Sequence, residues 1–136
     1  MKIRPYLTYQ GTCAEAVSLY EKAFSASVLQ IMRFGDMPAD PQNPMPEELK
    51  NQIVQVTLRI GDDFIRLSDC PGELNDPESE RTSLAVEATV EEVQHGFALL
   101  AEEGRIGIPL AETFYSPCAG VVFDKFGVMW NFIAQK

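Results

Sequence analysis

The tetrad Thr-x-x-Glu occurs twice in helix-starting positions, at Thr12–Glu15 and at Thr89–Glu92, each time behind a β-rich segment and at the head of an apolar stripe. This recurrence constrains the fold more than any other feature of the chain. In a capping box the threonine hydroxyl accepts from the glutamate amide and the glutamate carboxylate reaches back to the threonine amide, so the tetrad marks a helix start. Val17, Tyr20 and Phe24 follow the first box at helical spacing; Val90, Val93, Phe97 and Leu100 follow the second, with a stop at Gly104. Two matched helices imply two matched halves.

The segments around each helix read as strands. Residues 3–10 are rich in β-branched and aromatic side chains and stop at Gly11; Val28–Phe34, Gln52–Ile60 and Phe64–Leu67 follow the first helix, the last two separated by a turn at Gly61-Asp62-Asp63. In the second half Thr82–Glu87 precedes the helix, and Arg105–Pro109, Phe114–Phe123 and Val128–Ala134 follow it. The order βαβββ therefore appears twice: module one over about 1–70, an exposed Pro- and charge-rich connector over about 71–81, and module two over about 82–136. At 136 residues the chain makes one domain, and the two halves must share a core. Each half alone exposes an apolar sheet face. Pairing them buries both faces and leaves a concave surface, whose mouth is the default place for a ligand.

Composition excludes more than it selects. Twenty acidic side chains against eleven basic ones, net −9, with no basic run, argue against nucleic acid. No signal core and no stretch near the ~20 apolar residues of a membrane span is present, so a cytoplasmic protein without membrane contact is expected. Cys13, Cys70 and Cys118 are odd in number and fit no CxxC pattern, which suggests neither a disulfide framework nor structural zinc.

Pro5-Tyr6-Leu7, Gly11-Thr12-Cys13-Ala14-Glu15-Ala16, Tyr20 and Phe34-Gly35-Asp36-Met37-Pro38 resemble the N-terminal half of PhnB-like proteins. Glu112-Thr113-Phe114-Tyr115 and Asp124-Lys125-Phe126-Gly127-Val128-Met129-Trp130 resemble their C-terminal half, in the same order. The resemblance covers essentially the whole chain and is most specific in the Asp-x-Phe-Gly-Val-x-Trp turn. It implies a place in the vicinal oxygen chelate (glyoxalase/bleomycin-resistance/dioxygenase) superfamily and an α+β fold. Two βαβββ modules would form an open eight-stranded barrel-like sheet with two main helices outside, frequently as a homodimer. It implies no single reaction, because the superfamily spans isomerases, dioxygenases, antibiotic-modifying enzymes and non-catalytic drug binders.

Metal-dependent members of that superfamily hold a divalent cation with His and Glu side chains from four strands. The resemblance places those positions near Pro5, Arg66, Thr82 or Ser83, and Asn131, and a further His of many relatives at Gln55. None is an imidazole or a carboxylate, and a guanidinium has no acceptor and repels a cation. No cofactor is expected, and a divalent metal is possible but disfavoured. His95 lies roughly opposite the buried stripe of its helix and reads as a solvated surface residue.

The expected ligand-lining residues are Gln55, Arg66, Tyr115, Trp130 and Asn131, although an indole in a terminal strand also serves as core. Glu112 is the candidate catalytic group, since a carboxyl buried beside apolar walls would have its pKa raised toward proton-transfer range. Cys13, following the helix cap, reads as small packing rather than as a reactive thiol. Asp124 reads as the residue that orders the turn before Gly127. The Pro- and Met-containing segment 34–49 could close over a cavity or pack on a partner. The first functional expectation is a metal-free small-molecule binder. The alternatives are a glyoxalase-type lyase, isomerase or antibiotic-modifying enzyme with a displaced metal site or none, and a dimeric scaffold whose cavity its own side chains fill. A family-wide methyltransferase label finds no support in a glycine-rich strand-to-helix loop.

Overall fold

The structure, a computed structural model, describes residues 1–71 and 80–136. The connector expected at about 71–81 therefore falls, over 72–79, outside the described residues. The chain runs β1 (Tyr6–Tyr9), α1 (Cys13–Phe24), β2 (Ser27–Arg33), β3 (Ile53–Ile60), β4 (Asp63–Asp69), β5 (Leu84–Ala88), α2 (Val90–Ala101), β6 (Arg105–Ala111), β7 (Ala119–Phe123) and β8 (Met129–Ala134). Single 3-10 turns, Phe34–Asp36 and Glu47–Leu49, lie between β2 and β3 and bury no residue. The α+β class and the paired βαβββ order are those the sequence implies.

The eight strands divide between two four-stranded sheets of the same design, β1-β4-β3-β2 and β5-β8-β7-β6. Neither closes on itself, and in each the first strand lies parallel to the last while the other neighbours are antiparallel. A helix between the first two strands returns the chain to the starting end, so those two run the same way and the hairpin strands fill the space between them. The β3–β4 hairpin turns on Gly61 at φ +59, a conformation that a side chain would strain.

Two compact units result. In the first, Cys13, Ala16, Val17 and Tyr20 of α1 are buried with Tyr9, Ile53, Val56, Leu58, Ile65 and Leu67, which occupy one face of the sheet. The Tyr9 and Tyr20 hydroxyls share a hydrogen bond of 2.8 Å within that core. In the second, Val93, Phe97 and Leu100 of α2 are buried with Val122, Trp130, Phe132 and Ala134. The last turn of α1, Lys22–Phe24, belongs to this second unit. There the Phe24 ring lies 4.9 Å from Trp130 and 6.0 Å from Phe132, centroid to centroid.

The two helix starts differ. Thr89 forms the full box: its Oγ1 accepts from the Glu92 amide and the Glu92 carboxylate accepts from the Thr89 amide, both at 3.2 Å. Thr12 makes no side-chain cap. Its expected role passes to Asp69 at the end of β4, whose Oδ1 accepts from the Cys13 amide and whose Oδ2 accepts from the Ile53 amide, each at 2.9 Å. The physical reason is charge: a carboxylate is a stronger acceptor for helix amides than a hydroxyl, and this one ties three elements together.

One strand starts later than its composition suggests. Residues 114–118 are not strand, because the Thr113 hydroxyl accepts from the Tyr115 and Ser116 amides and folds the segment into a turn.

Candidate functional site

Strand alternation gives each sheet a second face, turned away from its helix. In the first unit one row of that face crosses all four strands: Tyr6 pairs with Arg66, Arg66 with Thr57, and Thr57 with Gln30. Gln55 stands beside Met32 one row further along. An ordinary solvated sheet face would expose such polar groups. Here Thr57 and Ser68 are each only 8% exposed, and Gln55 and Arg66 are half-buried. Gln55 and Arg66, both expected at the site, are thus brought onto one face of the first sheet, with Tyr6 and Gln30 exposed on it.

In the second unit the equivalent face carries Asn131, paired with Ala85 and Val121. Its Nδ2 donates to the Ser83 hydroxyl at 2.7 Å. The positions that the resemblance designates as metal ligands therefore fall together in pairs. Ser83 bonds to Asn131, and the Pro5 carbonyl accepts from the Arg66 amide at 3.1 Å. What they lack is donor chemistry. A proline ring, a guanidinium, a hydroxyl and a carboxamide do not fit a divalent cation that needs imidazole or carboxylate lone pairs. Among the described residues no cluster of three or more His, Cys, Asp or Glu side chains could hold one either.

Trp130 leaves the set of ligand-lining residues. It is adjacent to Asn131 in β8, so alternation turns it to the helix side, where it is 2% exposed and its Nε1 donates to Asp124 Oδ2 at 3.0 Å. Asp124 orders the turn as the sequence suggests: Oδ1 accepts from the Phe126 and Val128 amides at 2.9 and 3.1 Å, with Gly127 at φ +88. Tyr115 is half exposed in the β6–β7 turn, its ring edge-on to a Phe114 that is 93% exposed. Glu112 lies in the same segment and is exposed, not buried beside apolar walls.

The remaining reactive candidates are also placed. Cys13 is fully buried, and burial first, then the negative charge of Asp69, pushes its thiol up to about 12. It is packing, not a nucleophile. His95 is exposed, with Nε2 2.9 Å from the Lys22 carbonyl. Segment 34–49 keeps Met37 exposed and Met45 half-buried.

Sequence reasoning missed Arg4 and Phe64. The Arg4 guanidinium lies 4.2 Å from the Phe64 ring centroid and that of Arg66 lies 5.4 Å from the same centroid. The signal was the period of two in Phe64-x-Arg66, which puts both side chains on the face that carries Tyr6, whereas Arg4 precedes β1 and alternation does not place it.

A family model described as 3-demethylubiquinone-9 3-methyltransferase matches residues 1–133. Protein YjdN of Escherichia coli (strain K12) is 32% identical over 144 residues, covering 100% of this chain and 98% of YjdN. The structure of the PhnB protein from Bacillus cereus superposes with a TM-score of 0.81 at 26% identity, over 98% of this chain and 99% of that one. A variant of the fosfomycin resistance protein FosX from Listeria monocytogenes, complexed with Mn(II), superposes with a TM-score of 0.65 at 11% identity, over 100% of this chain and 93% of that one. The last likeness is one of fold alone.

Proposed function

The chain belongs to the PhnB-like family, whose model carries the description 3-demethylubiquinone-9 3-methyltransferase, and we propose that it is a metal-independent protein binding a small molecule on the helix-free face of its first sheet. One observation carries this reading: on the helix-free face of the first sheet the polar side chains Thr57 and Ser68 are buried and Gln55 and Arg66 half-buried, in a patch flanked by the exposed Tyr6 and Gln30 of the same row. Apolar side chains would stabilise such a face better, because each half-buried polar group has been taken from water. A ligand with complementary polar groups would pair with them in place of water. The metal of the wider superfamily has no place in this reading, since the paired positions offer no suitable donors. Methyl transfer from S-adenosylmethionine is no better supported. The β5–α2 junction is the single residue Thr89, and at the β1–α1 junction the Asp69 carboxylate already takes the Cys13 amide that an anionic cofactor group would need.

Thermal melting tests the reading. Chelator treatment is expected to leave the melting temperature unchanged, and elemental analysis to find substoichiometric divalent metal. A bound small molecule at 100-fold over its Kd stabilises by about 2.7 kcal/mol, a rise of roughly 10 °C for a chain of this size. Tight one-to-one metal, or a melting temperature lowered by chelator, would sink metal independence.

The same reading includes a homodimer. Edge strand β2 leaves Val28, Leu29, Ile31 and Met32 exposed, and edge strand β6 leaves Ile106 and Ile108 exposed. Apolar edges without charged or proline gatekeepers invite pairing with another chain. β2 carries neither between Ser27 and Met32, and a second copy is the partner that covers it. Light scattering is expected to give twice the 15.2 kDa chain mass for the unaltered protein and the single mass for the double variant Leu29→Lys/Ile31→Lys. A monomer before substitution rejects the dimer.

A further inference from the structure

The first unit gathers positive charge where the chain has little to spare. Of eleven basic residues against twenty acidic ones, Arg4 and Arg66 both lie against the Phe64 ring, and Arg59 pairs with Phe64 directly across the β3–β4 ladder. Arg4 and Arg66 are half-buried and Arg59 is exposed, and no carboxylate among the described residues forms an ion pair with any of the three. Like charges held together without a counter-ion repel, and the repulsion strengthens as water is excluded. The Phe64 ring offsets only part of this, because a cation–π contact contributes about 0.5–2 kcal/mol. Among the described residues no side-chain carboxylate offsets these guanidinia, and an oxyanion accepting from them would.

We propose that Arg66, with Arg4 and Arg59, forms a binding site for an oxyanion group, a phosphate or a carboxylate borne by a small molecule. This deepens the small-molecule reading and rests on it. A guanidinium presents a planar fork of N–H donors that matches two oxygens of either group, and Arg66 stands between Tyr6 and Thr57 in one row of the sheet. The hydroxyls of Tyr6 and Thr57 supply further donors on that face. At the one position of this cluster that the resemblance aligns with a metal ligand, Arg66 favours an anion instead of a cation.

The test uses the intact chain labelled with ¹⁵N, its arginine Nε–H resonances followed while inorganic phosphate or acetate replaces chloride at constant ionic strength. Saturable shifts of Arg66 and Arg4 are expected with at least one of the two anions, and the tighter binder identifies the headgroup. Arg66→Gln is expected to weaken binding about tenfold or more, and Arg66→Lys less than that, because charge is kept and the fork is lost. Arg105→Gln removes the same charge from a guanidinium stacked 4.0 Å over Phe123 in the second unit, and is expected to leave binding unchanged. If Arg66→Gln does not fold, Arg4→Gln reads out the same site from outside the sheet. No saturable shift with either anion, or equal losses in Arg66→Gln and Arg105→Gln, overturns the inference. A neutral compound that raises the melting temperature while both anions fail overturns it and leaves the small-molecule reading intact. One-to-one metal, with anion binding still lost in Arg66→Gln, removes metal independence and leaves the oxyanion site standing.

Discussion

Asp124→Ala is expected to destabilise the second unit by about 4 kcal/mol or more, the largest effect of any single side chain discussed for this protein. The carboxylate is 3% exposed and accepts from two backbone amides of the β7–β8 turn and from the indole of Trp130. Removing it leaves those donors without their acceptor, two of them where the chain must reverse direction and the third in the core. Hydrogen bonds to a charged group contribute about 1.5–3 kcal/mol each, and a whole domain has only about 5–15 kcal/mol to lose. Asp124→Asn keeps the shape and one acceptor oxygen, so a smaller loss is expected. Urea unfolding followed by fluorescence reports both, because Trp130 is the sole tryptophan and touches the altered group. A loss below about 1 kcal/mol for Asp124→Ala would refute the role assigned to this carboxylate.

Asp69→Ala is the second, with an expected loss of about 3 kcal/mol. Its two oxygens hold the amide that opens α1 and the amide that opens β3, so the substitution loosens a helix and a central strand at once. Thr12→Ala is the control. Thr12 makes no cap hydrogen bond through its side chain, and an effect within about 0.5 kcal/mol is expected. Thr89→Ala removes a cap that does form and should cost about 1 kcal/mol. Chemical denaturation of the four proteins, unaltered chain included, orders them. If Thr12→Ala equals or exceeds Asp69→Ala, the capping assignment is wrong. Cys13 in Asp69→Ala should remain slow toward thiol reagents, because burial is the larger cause of its raised pKa and Asp69 the smaller.

The oxyanion inference and these stability predictions concern different faces of the sheets. Asp69 lies on the helix side with Leu67 and Ile65, whereas Arg66, Phe64 and Ser68 alternate to the other. Substitutions in one set therefore leave the other readable, and loss of anion binding in Arg66→Gln need not reflect a damaged core.

Both helices, the βαβββ succession of elements along each module and the second capping box were legible in the amino-acid sequence, because each depends on residues within a few positions of one another. A period of 3.6 marks Val93, Phe97 and Leu100, and a period of two marks the strands. The Thr89–Glu92 box closes over three residues. Alternation also separates Trp130 from Asn131, a distinction that neighbouring positions in one strand always carry. What the tertiary structure alone decided are the contacts that join residues far apart in the chain. Asp69 displaces Thr12 as the cap of α1 from 56 residues away, and Arg4 meets Phe64 only because β1 lies parallel beside β4. Local chemistry sets which elements form; strand pairing sets which charges end up facing each other, and the energy of those meetings depends on burial that no short stretch of sequence contains.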